Sequence, residues 1–310
     1  MISQRSWIPV PTTGLLFVLL SLLWGGSFVA IDIGLRDLPP VLFAAMRYDV
    51  AGVLVLGFAA MTTDRWRPRS RREWTLVAFL GLFMFGAYNA LIYIGIDHVS
   101  GAVASIVISL GPVLTAGFAT TLGIEEPPNR IGALGFLAAI AGVVLVADPS
   151  PNALLDTNTV GVGIVLLGSV SFAFGTVASR PIDVDLPLST VQAWAMLVGA
   201  AFLHLASPLR GETLSAASVT PSTVAALVYL GVISGAIAYA LYFRLLDQLG
   251  PTEINLVGYT EPVVANGLSW LVLGQTIALS TLGGFAAIFT GFALLKREAL
   301  LDAAPIFRRP

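Results

Sequence analysis

Hydrophobic positions fall in ten long runs, at about 14–35, 41–62, 74–96, 101–123, 130–147, 160–179, 188–207, 222–246, 252–273 and 279–295. Short polar linkers part them. A helix crosses about 30 Å of hydrocarbon with about 20 apolar residues, so the pattern predicts ten transmembrane helices. Glycine and proline recur inside the runs, as they do in membrane helices generally. The ninth run, TEINLVGYTEPVVANGLSWLVL (252–273), carries Glu261 and Pro262 near mid-depth. A carboxyl group there costs about 2.5–3.5 kcal/mol on insertion scales and usually faces a bundle interior or a water-filled cavity. Pro262 removes a backbone donor and loosens or kinks the helix beside it. At 100° per residue Asn255, Tyr259, Pro262 and Asn266 share one face, with Glu261 roughly 120° around from Asn255. The stretch reads as a substrate-facing broken helix or as a packing kink with a buried acid.

The two halves match at an offset of about 150 residues. Leu80-Gly81 recur as Leu230-Gly231, Ala90-Leu91 as Ala240-Leu241, Asp97 as Asp247, Pro112-Val113 as Pro262-Val263 and Gly117 as Gly267. With a one-residue slip, Gly135-Phe136 and Gly142 recur as Gly284-Phe285 and Gly291. The units run from 12 to 148 and from 159 to 297, with tails 1–11 and 298–310. Five spans per unit is an odd number, so the second copy enters the membrane upside down. The expected fold is therefore an all-α membrane protein of ten transmembrane helices as two inverted five-helix repeats. Such a pair has a pseudo-two-fold axis in the membrane plane, and its site lies at mid-depth where the copies meet.

Composition agrees: 56% of residues are hydrophobic, 11% are charged, and the mean hydropathy is +0.88. Soluble domains carry about 25% charged residues. The net charge of −2 matters less than where the charges lie. Of the 16 basic residues only Arg36 and Arg210 fall in linkers opposite the N-terminus, and Arg47 lies within the second run. The positive-inside rule then puts both termini in the cytoplasm of a cell whose cytoplasmic membrane holds the protein. The cluster RWRPRSRR (65–72) reads as a topology signal rather than a nucleic-acid site. The N-terminal run has the look of a signal peptide, but its continuation to about Leu35 reads as an uncleaved first span. No cysteine is present, which excludes thiolate chemistry.

Polar residues inside the spans are few enough to weigh singly. Trp24, Gly25, Gly26 and Ser27 combine close helix approach with an indole donor and a hydroxyl, and serve packing or a cavity. Asp32, near the outer end of the first span, is expected to face water. Arg47 either snorkels outward or faces the cavity, pairing with Glu261, Asp32 or a substrate carboxylate. Asn89 and Tyr93 share a face one turn apart, while Tyr239 and Phe243 hold the equivalent places in the second copy. With Tyr242 they suit an amphipathic or aromatic solute and can hold a cation on their ring faces. Ser109 and Pro112 lie on one stripe of the fourth span. Catalysis has little support: His98 and His204 are the only histidines, and no metal-binding or phosphate-binding motif occurs. No cofactor is expected.

Taken together, the chain resembles the EamA-type branch of the drug/metabolite transporter superfamily. The likeness covers about residues 12–297 and rests on the ten spans in two repeats and LLWGGSFVA (22–30). It rests also on the arginine after PPVLFAAM and on GPV (111–113) mirrored by EPV (261–263). It implies a polytopic carrier that exports amino acids, related metabolites or toxic compounds through a central cavity between the halves. Trp24, Ser27, Arg47, Asn89, Ser109, Pro112, Tyr239 and Glu261-Pro262 match the family pattern by position. Glu125 matches its acidic end of span four, but Gln275 stands where the second copy commonly has glutamate, so no symmetric acidic pair is implied. The expected function is a secondary transporter of small metabolites working by alternating access, with Glu261 binding a proton or a substrate amine. Its partners are then a small-molecule substrate, the lipid bilayer and protons as coupling ion, with no nucleic acid. A facilitative channel, a lipid flippase, a membrane-embedded transferase and a carrier of phosphorylated solutes are the rivals.

Overall fold

The computed structural model describes residues 10–148, 156–213, 219–249, 254, 256–295 and 297, with the backbone alone at 10–12. Every regular element among them is helical. The first five-helix unit comprises α1 (Val10–Gly34), α2 (Pro40–Thr62), α3 (Arg71–Ile96), α4 (Gly101–Thr121) and α5 (Arg130–Ala147). The second comprises α6 (Thr157–Ala178), α7 (Leu188–Leu209), α8 (Pro221–Leu249), α9 (Val257–Leu273) and α10 (Leu279–Leu295). The first eight are long and apolar enough to cross a membrane, while α9 and α10 have 17 residues each. For α9 this is shorter than the apolar run 252–273, whose first residues lie largely outside those described.

Helix ends sit where local chemistry can satisfy the free backbone donors of a first turn. Ser70 and Glu73 form a reciprocal capping box at α3, and Ser100, Asn129, Asp156 and Thr220 cap α4, α5, α6 and α8. Pro40 and Pro221 open α2 and α8, where the missing N–H costs nothing. Many large apolar side chains on the outer faces, among them Leu15, Val53, Leu134, Leu137, Leu167 and Leu271, are exposed, as a lipid-facing surface requires.

The packing of the two units obeys a two-fold rule. Helix α2 lies along α7 and α5 along α10, each pair made of equivalent helices. Helix α1 packs on α9 as α6 packs on α4; α3 packs on α7 as α8 packs on α2. The α5–α10 seam shows the operator at residue level. A methyl group at Gly135 would overlap the Gly291 carbonyl and one at Gly291 the Gly135 carbonyl; Gly142 and Gly284 exclude each other in the same way. Gly135 is equivalent to Gly284 and Gly142 to Gly291, so exchanging the copies maps one contact onto the other. Only glycine permits this approach of two backbones.

Both copies also depart from α-geometry at the same place. Helix α3 widens to a π-helix over Gly81–Ala87, and α8 does so over Tyr229–Ile237. The wider turn leaves carbonyls of the segment open to side-chain donors, and such segments are common at functional sites. Helix α4 breaks at Ser109 and Leu110, just ahead of Gly111-Pro112.

Candidate functional site

The freed carbonyls of the two π-segments are met differently, and this difference shapes the centre. In α3 the Asn89 amide donates to the carbonyls of Met84 (3.3 Å) and Phe85 (3.0 Å) and accepts from the Tyr48 hydroxyl (3.1 Å). Asn89 is 3% exposed and braces its own helix. The equivalent position in α8 is Tyr239, which has no such amide. There the carbonyl of Ser234, equivalent to Met84, accepts from the Trp24 indole of α1 at 3.2 Å. Ser27 and Ser234 share a second hydrogen bond of 2.6 Å. Trp24 and Ser27 therefore tie α1 to α8.

Around this frame lies an aromatic lining. Trp24 packs edge-on to Tyr239 at 5.3 Å and against Tyr242 at 5.4 Å. On the other side the Arg47 guanidinium donates to the Tyr93 hydroxyl at 3.1 Å and lies 4.8 Å from the Tyr48 ring centre. Arg47 is buried, which overturns the snorkelling expectation, and its Nε has no partner. Tyr239 lies within electrostatic range of Arg47, and Tyr88 within range of both Arg47 and Glu261. Glu261, Tyr88 and Tyr239 are partly buried. With Trp24 and Arg47 they bring α1, α2, α3, α8 and α9 together around one cation and one carboxyl group.

Glu261 forms no hydrogen bond or ion pair with any described residue, so of the alternatives open for Arg47 a pairing with Glu261 is absent. Gly25 brings α1 against its backbone: a methyl there would lie 2.6 Å from Val264 and 3.1 Å from the Glu261 carbonyl. The equivalent of Glu261 in α4 is Gly111, where a methyl would meet nothing within 4 Å. A carboxyl group thus stands in one copy, with open room at the equivalent place in the other.

Tyr93, the acceptor of the Arg47 bond, is itself fully buried, its ring against Phe43. Other residues named from sequence sit elsewhere. Ser109 is 3% exposed and its hydroxyl donates to the Ile106 carbonyl at the α4 break, one turn before Pro112. Tyr259 stacks on Phe289 and Phe292 of α10, away from the Arg47 cluster. Asn266 donates to the Pro262 carbonyl at 2.7 Å and to that of Ala102 at 3.4 Å, bridging α9 to α4. Pro262 is buried inside α9. Asn255 lies outside the described residues. Tyr48 and Tyr88, not among the candidate site residues, also stand beside Arg47.

The rims on opposite faces each carry a contact between the first helix of one copy and the fourth of the other. On the arginine-rich face Arg180, after α6, pairs with Glu125, after α4, at 3.0 Å. On the arginine-poor face the Gln275 amide, after α9, donates to Asp32 near the end of α1 at 3.3 Å. Asp32 also accepts from the Gly101 backbone at 3.0 Å, so it closes a rim instead of facing water. Thr190 at the start of α7 donates to the Arg65 carbonyl, and Trp194 to that of Trp66. Reciprocally, Glu212 after α7 accepts from the Val41 and Leu42 amides at the start of α2. Asp37 accepts from Thr220 and Thr223, which hold its carboxyl below the usual range. Asp49 and His204, both half exposed, pair at 2.7 Å on the outer α2–α7 surface, remote in sequence and unforeseen.

Comparison with known proteins adds the family. A profile described as the EamA-like transporter family matches residues 12–147 and again 159–297. The chain is 28% identical to a protein of Escherichia coli strain K12 named as the uncharacterized inner membrane transporter YedA, over 89% of this chain and 92% of that one. An uncharacterized transporter of Bacillus subtilis, YvbV, is 23% identical over 96% of this chain and 95% of its own length. A crystal structure at 23% identity superposes with a TM-score of 0.61, covering 94% of this chain and 99% of that one, a likeness of fold.

Proposed function

Since the chain belongs to the EamA-like transporter family, we propose that it is a secondary transporter that exports small metabolites across the cytoplasmic membrane by alternating access. Both termini lie in the cytoplasm, on the arginine-rich side, in keeping with the positive-inside rule. The observation that carries the proposal is the likeness of the two rims. Each joins the end of one copy's first helix to the end of the other copy's fourth; Glu125 and Gln275 are equivalent, while Arg180 and Asp32 stand two residues out of register. Rims so related let one five-helix unit take the conformation of the other, opening the centre to one side as it closes to the other. The cargo fits between Arg47 and Glu261 against the rings of Trp24, Tyr88 and Tyr239. That lining suits a compact solute with an apolar or aromatic body and at least one charged group. Glu261, with no partner of its own, is the group that takes up a proton or a substrate amine in each cycle. No chemical step is required of any residue.

The test is flux in proteoliposomes. Glu261→Gln removes pH-driven transport while the protein folds and inserts normally; an unchanged response to an imposed pH gradient contradicts the role given to Glu261. A carrier is also accelerated by substrate on the far side, whereas an open pore is not.

A further inference from the structure

The Asp49–His204 pair has no part in the centre. Asp49 follows Arg47 by two residues, about 200° around α2, so the turn that sends Arg47 to Tyr93 sends Asp49 outward. Its Oδ2 lies 2.7 Å from Nε2 of His204 on α7, and the two side chains keep 48% and 43% of their surface. Their neighbours on this surface are apolar and exposed, Val53 and Leu54 on α2 and Leu205 and Leu209 on α7. Such a surface faces lipid, and depth keeps it from water. Measured from the arginine-poor face, where Glu212 after α7 holds the start of α2, Asp49 is about 13.5 Å along α2 and His204 about 7.5 Å along α7. Hydrocarbon about 30 Å thick leaves about 2 Å of a 23-residue helix outside at each end. An ionisable group at that level ordinarily turns to a bundle interior or a cavity. This pair does neither. Asp49 Oδ1 and His204 Nδ1 have no hydrogen-bond partner among the described residues.

A patch that carries an acid and a base side by side is its own complement. Copies inserted the same way up are related by an axis along the membrane normal, which leaves depth unchanged. Asp49 and His204 are bonded and so share a level, which brings each carboxylate to the level of the other copy's imidazole. That is the reciprocity of an isologous contact, in which residue i meets j and j meets i. Gly57 and Ala60 continue the Asp49 face along α2, about 80° and 20° around from it. Both are exposed, and a methyl at Gly57 would meet nothing within 4 Å. They leave room for a second helix surface to approach, as small residues do between membrane helices. We propose that the outer α2–α7 surface is the interface of a two-fold dimer of this chain, in which the Asp49 of each copy pairs with the imidazole of the other. A phospholipid headgroup lies outside the hydrocarbon and does not reach the pair, and an apolar helix would leave its polar atoms unmet. The side of α2 that carries Arg47 is untouched, so each copy keeps its own centre.

The experiment uses the full chain in liposomes over a range of protein-to-lipid ratios. Because the chain has no cysteine, a single introduced thiol can be oxidised only to that of a second copy. Val53→Cys, on the Asp49 face, is expected to form a disulfide-linked species of twice the chain mass, and Leu134→Cys, equally exposed on α5, is not. Association is read separately by single-molecule photobleaching. It is expected to weaken about tenfold or more in the double variant Asp49→Asn with His204→Gln. Gly57→Leu is expected to weaken it as well; one copy alone has room for the new side chain, and leucine favours the helix over glycine, so the fold is kept. Single copies at every ratio, crosslinking of Leu134→Cys as fast as Val53→Cys, or unchanged association in the double variant overturns the proposal. A crosslink to a protein of another mass, found only in native membranes, gives this surface to a different partner and overturns it too.

Discussion

Replacing Asn89 by leucine, a side chain of similar size, tests whether this residue braces the π-segment of α3. The change removes the donors to the Met84 and Phe85 carbonyls and the acceptor of the Tyr48 hydroxyl, three hydrogen bonds in all. Side-chain hydrogen bonds inside membrane proteins average about 0.6 kcal/mol, which sets the loss near 2 kcal/mol. The usual net value of about 1 kcal/mol per bond sets it near 3 kcal/mol. Asn89 is 3% exposed, so water is poorly placed to replace the lost groups. The expected destabilisation is therefore about 2–3 kcal/mol, read by reversible unfolding in mixed micelles. Trp24→Phe removes only one bond to the equivalent carbonyl in α8 and is expected to cost about 0.6–1 kcal/mol through that bond. A loss below about 0.5 kcal/mol for Asn89→Leu would refute the reasoning, because the freed carbonyls would then need no brace.

Three further outcomes follow from the same geometry. Gly135→Ala drives a methyl into the Gly291 carbonyl and costs about 1–3 kcal/mol of stability by overpacking, whereas Gly283→Ala, with open space around it in the same helix pair, is neutral or slightly stabilising; equal effects in thermal unfolding would contradict the seam. The carboxyl of Asp37 is held below its ordinary value by Thr220 and Thr223. Its contribution is present above the unfolded value of about 3.9 and is lost as pH falls through the lower folded value, so Asp37→Asn flattens the acid limb of the stability profile. Arg47→Lys keeps the charge but loses the planar group that donates to Tyr93 and lies over Tyr48; it is expected to weaken substrate affinity at least tenfold in binding assays, and wild-type affinity would place the substrate elsewhere.

Much of the architecture was legible because it follows from hydrophobic run length and internal repetition. The runs 130–147 and 279–295 coincide with α5 and α10, and the slipped glycine pairs of those runs turn out to touch across the seam. The π-segments were not legible, since one extra residue per turn leaves an apolar run unchanged. Asn89 therefore read as a cavity residue although its NH2 is taken up by the bulge and its oxygen by the Tyr48 hydroxyl of α2. Long-range pairing was equally hidden. Asp32 with Gln275 and Asp49 with His204 join residues far apart in sequence, and no local pattern encodes them. The sequence left Arg47 open between snorkelling and facing the cavity because the tyrosines that shelter it come from α2, α3 and α8 together.

The chain has no cysteine, so introduced pairs can be spin-labelled without background. One pair, Glu126→Cys with Asp183→Cys, sits beside the Glu125–Arg180 closure; the other, Arg36→Cys with Thr276→Cys, sits beside Asp32 and Gln275. During turnover in nanodiscs the account predicts that one distance lengthens as the other shortens, and that substrate shifts the two populations in opposite directions. Continued flux with both distances fixed, or both lengthening together, would contradict it.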